Sequence, residues 1–259
     1  MKLKIALVQL KTDEGSEIER QFSHAVKVLE KSEKCDLLIL PELWLQGAFG
    51  DWSQNLNPLE LPNPYLNFLI EWAKKRKTWI CTGSFLLVTD NGGITNTCFF
   101  IDPKGKIQLT YSKRHLFGYG SSEAERLTSG VKPSELKTSF AKVGIAICYD
   151  LRFPEHFRHS LEIPEIFVIP SAWPESRIQH YLKLTVGRAI ENQCYVVACN
   201  GIGKQGDVVL GGNSLVVDYD GITQLKLSQE EEIGYCYLKL NQLRKTRKEF
   251  PVLKDRILE

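Results

Sequence analysis

Residues 143–155 read VGIAICYDLRFPE, an apolar run that leads directly into a cysteine. The run at 143–147 predicts a buried strand, and Pro154 suits the first turn of a helix, so Cys148 is predicted to lie at a sharp turn between them. Backbone N–H groups and a helix N-terminus near a thiol favour the thiolate. The same N–H groups can bind an oxyanion. The alternative is that Cys148 is a small core residue.

Two other apolar strands also end at a reactive residue. Residues 37–42 read LLILPE and end at Glu42, and residues 111–117 read YSKRHLF and contain Lys113. Ligands of α/β sheets collect just beyond strand ends, so both side chains are candidates for a site. Taken separately, Glu42 is better explained as an exposed loop acid and Lys113 as a solvated lysine.

His115 is a candidate general base because histidine titrates near neutral pH. The sequence indicates no partner that would orient its ring. A structural role, or a place at the edge of a substrate pocket, is therefore the preferred interpretation.

Composition is typical of a globular protein and argues against several partners. The chain has 259 residues, 43% of them hydrophobic and 25% charged, which is enough to bury a core without disulfides. Its 33 basic and 31 acidic residues leave a formal charge of +2, so no nucleic-acid partner is expected. No apolar run reaches the roughly 20 residues of a membrane span, and residues 4–10 are predicted as a first strand rather than a secretory signal.

The chain contains seven cysteines, an odd number, without a CxxC pair or zinc-like spacing. Most lie within apolar runs, so buried free thiols in a reducing compartment are expected. This pattern predicts a cytoplasmic protein and no metal site.

Strand-like and helix-like segments alternate along the chain, which predicts a mixed sheet covered by helices in one domain, residues 1–259. The loops expected to be functional are Gly47–Asn63 and Gly118–Pro133. Predicted helices are 17–32, 64–77, 154–161 and 178–193. Predicted strands are 4–10, 35–40, 79–88, two strands within 96–110, 143–148, 166–170, 195–200, 213–218 and 234–240.

Three motifs together carry a family resemblance. LPE at 40–42, YSKRHL at 111–116 and CYDLRFPE at 148–155 resemble, in this order, the signature motifs of the nitrilase (carbon–nitrogen hydrolase) superfamily. The similarity runs along the whole chain and includes the stretches 171–174, 188–193 and 211–214. RHLF after the lysine and WPESR at 173–177 are most similar to the omega-amidase branch.

The resemblance implies a fold and an activity. The fold is an α/β four-layer α-β-β-α sandwich, and members usually form homodimers through helices near the active site. The activity is hydrolysis, without cofactor or metal, of the terminal amide of a small carboxylate-bearing molecule such as 2-oxoglutaramate or succinamate. Water is the second substrate and ammonia is released.

The resemblance also implies roles for individual residues. Cys148 would be the nucleophile and Glu42 the general base, while Lys113 and the backbone N–H of Tyr149 would hold the oxyanion. The family has a fourth polar residue, a glutamate, for which Glu123 matches best and Glu125 is the alternative.

Three residues are candidates for substrate binding. Arg152 suits a bidentate contact to a carboxylate, although it is equally explained by internal pairing with Glu155. Trp173 is predicted to form a wall of the pocket, with a core position as the alternative. His115 is placed at the substrate edge.

Two rival functions remain compatible with the sequence. One is an amidase of the same superfamily that acts on N-carbamoyl amines or on deaminated glutathione. The other is a catalytically silent binding or scaffold protein, which the presence of Glu42, Lys113 and Cys148 disfavours.

Overall fold

The computed structural model describes residues 2–12, 17–49, 52, 56–119, 121–160 and 162–257. Two sheets contain most of the strands. The first sheet consists of β1 (Lys2–Gln9), β2 (Leu37–Ile39), β3 (Trp79–Cys81), β4 (Phe85–Val88), β5 (Ile94–Ile101), β6 (Ile107–Ser112) and β15 (Glu232–Lys239). The second consists of β7 (Ser134–Lys137), β8 (Lys142–Ile145), β9 (Ile166–Ser171), β10 (Tyr195–Asn200), β13 (Leu215–Val217) and β14 (Thr223–Lys226). A separate hairpin pairs β11 (Ile202–Gln205) with β12 (Val208–Gly211).

The two sheets share one plan. In the first, β1, β2 and β3 are parallel, and antiparallel strands β15 and β5 flank them. In the second, β8, β9 and β10 are parallel, and antiparallel strands β7 and β13 flank them. The described helices are α1 (Ile18–Glu30), α2 (Pro64–Arg76), α3 (Glu123–Arg126), α4 (Pro154–Arg158), α5 (Ile178–Glu191) and α6 (Leu240–Glu249).

Alternate residues of the strands bury opposite faces of the first sheet. Ile5 and Leu7 pack in the cluster that also contains the second sheet and residues of α5, whereas Ala6 and Val8 pack with α1 and α2. The Cys199 thiol of β10 lies 3.4 Å from the Val8 carbonyl oxygen, so the sheets face each other directly. This arrangement is the predicted four-layer α-β-β-α sandwich.

The ends of α2 follow from local chemistry. Asn63 accepts a hydrogen bond from the Leu66 N–H at 2.9 Å, and Pro64 occupies the first turn. Lys77 ends the helix in the left-handed conformation, with φ at 52°.

One turn motif occurs once in each sheet. Asp102 and Asp218 each begin a hairpin turn with a glycine three positions later and a glutamine six positions later. Each buried carboxylate accepts two backbone N–H groups of its turn and the side-chain amide of that glutamine. The first turn joins β5 to β6 and the second joins β13 to β14, each pair antiparallel.

The segment 79–88 was predicted as one strand and is two. It breaks at Gly83, which has φ of 69°, and a Cβ there would lie 2.0 Å from the Pro41 carbonyl oxygen. The chain bends at this point to admit the loop that carries Glu42, and Ser84 Oγ accepts a hydrogen bond from Leu43 N–H at 3.1 Å.

Other boundaries also differ from the prediction. The strand expected over 143–148 ends at Ile145, and residues 148–152 form a 3₁₀ turn instead. The helix expected over 154–161 ends at Arg158, and Leu161 lies outside the described residues, as do residues 50–51, 53–55 and 120 of the two loops. The elements that the sequence did not indicate are β7, β11, β12, β14, α3 and α6.

All seven cysteines are free and buried, as the apolar context predicted. None of the helices in the described ranges has the length and apolar character of a membrane span.

Candidate active site

The three predicted reactive residues follow the ends of three strands and lie in one cleft. Glu42 follows β2, Lys113 follows β6 and Cys148 follows β8, and all three line the same pocket. The empty space in and above this pocket, which includes open solvent, is about 440 Å³. It lies at the junction of the two sheets, where Ser171 of β9 accepts a hydrogen bond from the Glu42 N–H at 3.3 Å.

Lys113 is the centre of a buried cluster of charges. Its ammonium Nζ lies 2.8 Å from Glu42 Oε1 and 2.8 Å from each carboxylate oxygen of Glu123. The three side chains are 2–5% exposed. Glu123 also accepts the Phe117 N–H at 2.8 Å, which fixes the loop after Lys113 around the cluster.

The charges of this cluster favour a cationic lysine. Burial lowers the pKa of Lys113, but the carboxylates of Glu123 and Glu42 outweigh burial and raise that pKa well above its ordinary value. The pKa of Glu123 is also raised, first by burial and then by the charge of Glu42, against the opposing effect of Lys113. Lys113 therefore remains charged across the physiological pH range.

Asn96 is a member of the cluster that the sequence analysis missed. Its Nδ2 donates to Glu42 Oε1 at 2.9 Å and to Glu123 Oε1 at 3.3 Å, and the side chain is fully buried. The other Glu42 oxygen, Oε2, accepts the Ala172 N–H at 3.0 Å. The available signal was an amide within the apolar strand β5, since a buried amide requires partners.

Cys148 begins the 3₁₀ turn with a φ of 43°, in the left-handed region that few non-glycine residues adopt. Burial, followed by the charge of Glu42, raises the pKa of the Cys148 thiol well above its usual range, while Lys113 and the Ala172 N–H oppose this shift. Burial and the nearby carboxylate therefore outweigh the backbone N–H groups and favour the thiol, whereas the turn alone was expected to favour the thiolate.

The choice between the two candidate glutamates follows from their positions. Glu123 is 4% exposed and contacts Lys113, whereas the Glu125 side chain is exposed on α3. Of the two, Glu123 is therefore the glutamate that contacts the Lys113 ammonium.

Two guanidinium groups line the pocket without a carboxylate partner among the described residues. The Arg152 guanidinium lies 4.9 Å from the Trp173 ring centroid, and its Nη2 lies 3.3 Å from His180 Nδ1. The alternative pairing of Arg152 with Glu155 is not observed. Arg177 lies over the Phe117 ring at 5.8 Å. Both cations remain available to an anionic group in the cleft.

Trp173 combines the two positions that the sequence left open. It lines the cleft and is also 2% exposed, with its Nε1 donating to the Arg177 carbonyl at 2.9 Å. The tryptophan thus links the base of the pocket to the segment that carries Arg177. Tyr149 lines the same cleft beside Arg152.

His115 does not line the cleft, so the structure does not support its expected place at the substrate edge. Its ring stacks on Phe153 at 3.8 Å, and Nδ1 lies 2.6 Å from Asp150 Oδ1. Asp150 is the orienting partner that the sequence did not indicate. It was missed because 35 residues separate the two along the chain.

A family model for carbon-nitrogen hydrolases matches residues 4–248. The chain belongs to this family and is an enzyme of the carbon-nitrogen hydrolase class. Among its relatives, the 2-oxoglutaramate amidase of Paenarthrobacter nicotinovorans is 39% identical, with 98% of this chain and 89% of the relative covered. The 2-oxoglutaramate amidase of Bacillus subtilis is 33% identical, with 98% of each chain covered.

Solved structures are similar over the whole chain. A CN-hydrolase superfamily protein of Xanthomonas campestris, with an arsenic adduct in its active site, has a TM-score of 0.91 at 27% identity, covering 100% of this chain and 98% of that one. Nit3 of Saccharomyces cerevisiae, a nitrilase superfamily member, has a TM-score of 0.86 at 27% identity, covering 99% of this chain and 97% of that one.

Proposed function

We propose that this chain is an omega-amidase that hydrolyses the terminal amide of a small carboxylate-bearing molecule, such as 2-oxoglutaramate or succinamate. The observation that carries the proposal is the convergence of Glu42, Lys113 and Cys148 in a cleft that two arginines also line, neither of which has a carboxylate partner within the described ranges. The names of the relatives from Paenarthrobacter nicotinovorans and Bacillus subtilis support the same substrate class.

The first half-reaction forms a thioester. Because Cys148 rests as a thiol, Glu42 accepts its proton as the sulfur attacks the amide carbon. The carbonyl oxygen becomes an oxyanion, which Lys113 and the Tyr149 N–H stabilise. Tyr149 is second in the 3₁₀ turn, where N–H groups lack acceptors within the turn itself. The protonated Glu42 then donates its proton to the leaving nitrogen, the C–N bond breaks and ammonia departs.

The second half-reaction releases the acid. Water attacks the thioester carbon while Glu42 accepts its proton, and the same cation and N–H group hold the oxyanion again. The C–S bond then breaks, and the sulfur recovers a proton from Glu42. The products are the carboxylic acid, ammonia and the original thiol.

The arginines set the substrate class. A carboxylate that enters the cleft meets Arg152, whose guanidinium can bind both oxygens. Arg177 lines the same cleft, so a substrate with an acidic end distant from its amide complements the pocket. Uncharged amides of equal length leave these cations without a partner.

The family resemblance and the free thiols also bear on the oligomeric state and the compartment of the enzyme. We propose that it acts as a cytoplasmic homodimer. The seven free thiols suit a reducing compartment.

A turnover assay tests the activity: released ammonia is measured for the primary amides and the N-carbamoyl amine, and the released amine is measured for the peptide-like amide, whose hydrolysis yields no ammonia. The panel comprises 2-oxoglutaramate, succinamate, butyramide, an N-carbamoyl amine and a peptide-like amide related to deaminated glutathione. The proposal predicts the highest kcat/KM for the first two and no turnover in Cys148→Ala. A preference for the N-carbamoyl or peptide-like substrate would replace the substrate assignment but keep the chemistry. No ammonia and no amine from any of these substrates would favour a silent protein.

A further inference from the structure

Asp150 lies beneath the cleft and accepts hydrogen bonds from two parts of the chain. Its carboxylate is fully buried. One oxygen, Oδ2, accepts the Tyr111 hydroxyl at 2.6 Å and the Ile147 N–H at 2.9 Å. The other, Oδ1, lies 3.0 Å from the His115 N–H and 2.6 Å from His115 Nδ1. Both oxygens are thereby occupied by donors.

The donors flank the two reactive residues of the proposed mechanism. Tyr111 and His115 lie two positions before and two positions after Lys113, and Ile147 directly precedes Cys148. One carboxylate therefore holds the segment that carries the ammonium against the segment that carries the thiol. Asp150 is absent from the residues lining the cleft, so it acts on the ammonium and the thiol only through the residues that flank them.

The turn that Asp150 holds is in an unfavourable conformation. Cys148 has a φ of 43°, and a left-handed non-glycine residue persists only when neighbouring contacts impose it. Asp150 imposes it from one side through the Ile147 N–H. From the other side, Arg188 donates to the Leu151 carbonyl at 3.1 Å and to the Arg152 carbonyl at 3.0 Å.

The negative charge on Asp150 allows its carboxylate to accept all of these hydrogen bonds. Burial raises its pKa, but hydrogen bonding from His115, the charge of His156 and the Tyr111 hydroxyl outweigh burial and lower the pKa below its ordinary value. An ionised carboxylate has lone pairs for all of these donors, whereas an amide of the same shape would direct an N–H₂ group at some of them.

We infer that Asp150 is a positioning residue that fixes Cys148 relative to Lys113, and that His115 and Tyr111 act through it. The inference rests on the proposed function, because Cys148 and Lys113 are the groups being aligned. Misplacement of a reacting group by about 1 Å can cost a hundredfold in rate, so the effect should appear in kcat rather than in KM.

The test compares Asp150→Asn with Asp218→Asn. Asp218 is a matched control, since it is also a buried aspartate that accepts backbone N–H groups, but it lies in a turn remote from the cleft. The measurements are kcat, KM, a thermal melt and the rate of Cys148 alkylation by iodoacetamide, followed by peptide mass spectrometry. We expect kcat and the alkylation rate of Asp150→Asn to fall by about a hundredfold, with KM within about threefold.

Asp218→Asn should lose stability while its kcat and alkylation rate match the wild type. If the two variants lose stability alike and Asp150→Asn retains wild-type kcat and alkylation, Asp150 is merely structural and the inference fails. If Asp150→Asn does not fold, Tyr111→Phe replaces it, since only one hydroxyl is lost. A tenfold fall in kcat and alkylation, on the order expected for one positioning hydrogen bond, would support the inference, and unchanged rates would overturn it.

A failure of the proposed function can be distinguished from a failure of this inference by measuring ammonia release. It would appear as a wild-type enzyme that releases no ammonia, or as a Cys148→Ala variant that still does. The alkylation rates report on the alignment of Cys148 in either case.

Discussion

At the scale of single residues, the site combines a charged lysine with a neutral cysteine. Lys113 is held as a cation by two carboxylates, whereas Cys148 beside them remains a neutral thiol. A preformed thiolate would need a nearby positive charge that exceeds the effect of Glu42 and of burial. In the proposed mechanism the proton therefore moves to Glu42 during attack, which makes the carboxylate as important for turnover as the sulfur.

Glu42→Gln and Lys113→Ala should each lower kcat by roughly a hundredfold or more, because one loses the proton acceptor and the other an oxyanion donor. Substrate Kd, measured with a Cys148→Ala background to prevent turnover, should change less. Lys113→Arg should also be slow, since the larger planar guanidinium does not fit a position shaped for an ammonium. A variant that binds weakly yet turns over normally would remove that residue from its catalytic role.

Arg152→Leu should abolish the preference for acidic substrates. The ratio of kcat/KM for succinamate over butyramide should fall by about ten- to a hundredfold, because a charge-assisted contact is worth roughly 1.5–3 kcal/mol. Arg177→Leu is the comparison variant, since Arg177 lines the same cleft. If the preference survives in Arg152→Leu and collapses in Arg177→Leu, Arg177 is the carboxylate ligand. A thermal melt of each variant verifies that the fold is intact.

At the scale of elements, the sequence predicted what local pattern determines. Apolar runs such as 195–200 predicted the buried strand β10 with the bounds that the structure has. The short strands β7 and β14 were missed because they are mostly half-buried or exposed and lack an alternating pattern. The break at Gly83 was missed because its cause, the Pro41 carbonyl, lies more than 40 residues earlier in the chain.

Gly83→Ala tests whether this break positions Glu42. The new Cβ would lie 2.0 Å from the Pro41 carbonyl oxygen and 2.8 Å from the Trp44 ring. Gly92→Ala is the matched control, because Gly92 also has a positive φ, 79°, but has nothing within 4 Å of an added Cβ. Both variants should lose about 1 kcal/mol from the unfavourable φ. Only Gly83→Ala should lose more stability than that, and only it should lose ammonia release.

Urea unfolding and the ammonia assay provide the comparison. Equal losses in Gly83→Ala and Gly92→Ala would mean that the close approach at Pro41 does not constrain the Glu42 loop.

At the scale of the whole molecule, the site exists only where the sheets meet. Glu42 belongs to the first sheet, while its Oε2 is bound by the Ala172 N–H just beyond the second. Local patterns made Glu42, Lys113 and Cys148 candidates only, since each one alone also suited a structural or solvated position, and the family resemblance implied that they act together. Asn96 and Asp150 escaped prediction because their partners are distant in sequence and no local pattern indicates them.

Stability should fall on mild acidification because of a buried histidine. His156 is 1% exposed, and burial lowers its pKa below 6.5, although the charge of Asp150 opposes this. Below pH 6.5 the unfolded chain therefore binds a proton that the folded chain does not, which favours unfolding by up to about 1.4 kcal/mol per pH unit. Glu123 has the opposite effect. Its pKa is raised in the folded chain, so its contribution to the free energy of unfolding falls as the pH rises above 4.5.

His156→Gln isolates the histidine contribution, since glutamine keeps a donor for the Ile145 carbonyl, which His156 Nε2 now contacts at 2.8 Å. The free energy of unfolding in urea should change less between pH 7.5 and pH 5.5 in the variant than in the wild type. An identical pH dependence in the two proteins would contradict the assignment.

The measurement that tests the mechanism most directly is the mass of the enzyme quenched during turnover of succinamate. The wild type should carry an acyl group equal to the substrate less ammonia, on the peptide that contains Cys148, and hydroxylamine should remove it. Cys199→Ala, which changes a fully buried thiol of β10, should show the same adduct, whereas Cys148→Ala should show neither adduct nor ammonia. Ammonia release by Cys148→Ala, or an adduct on another residue, would contradict the thioester mechanism.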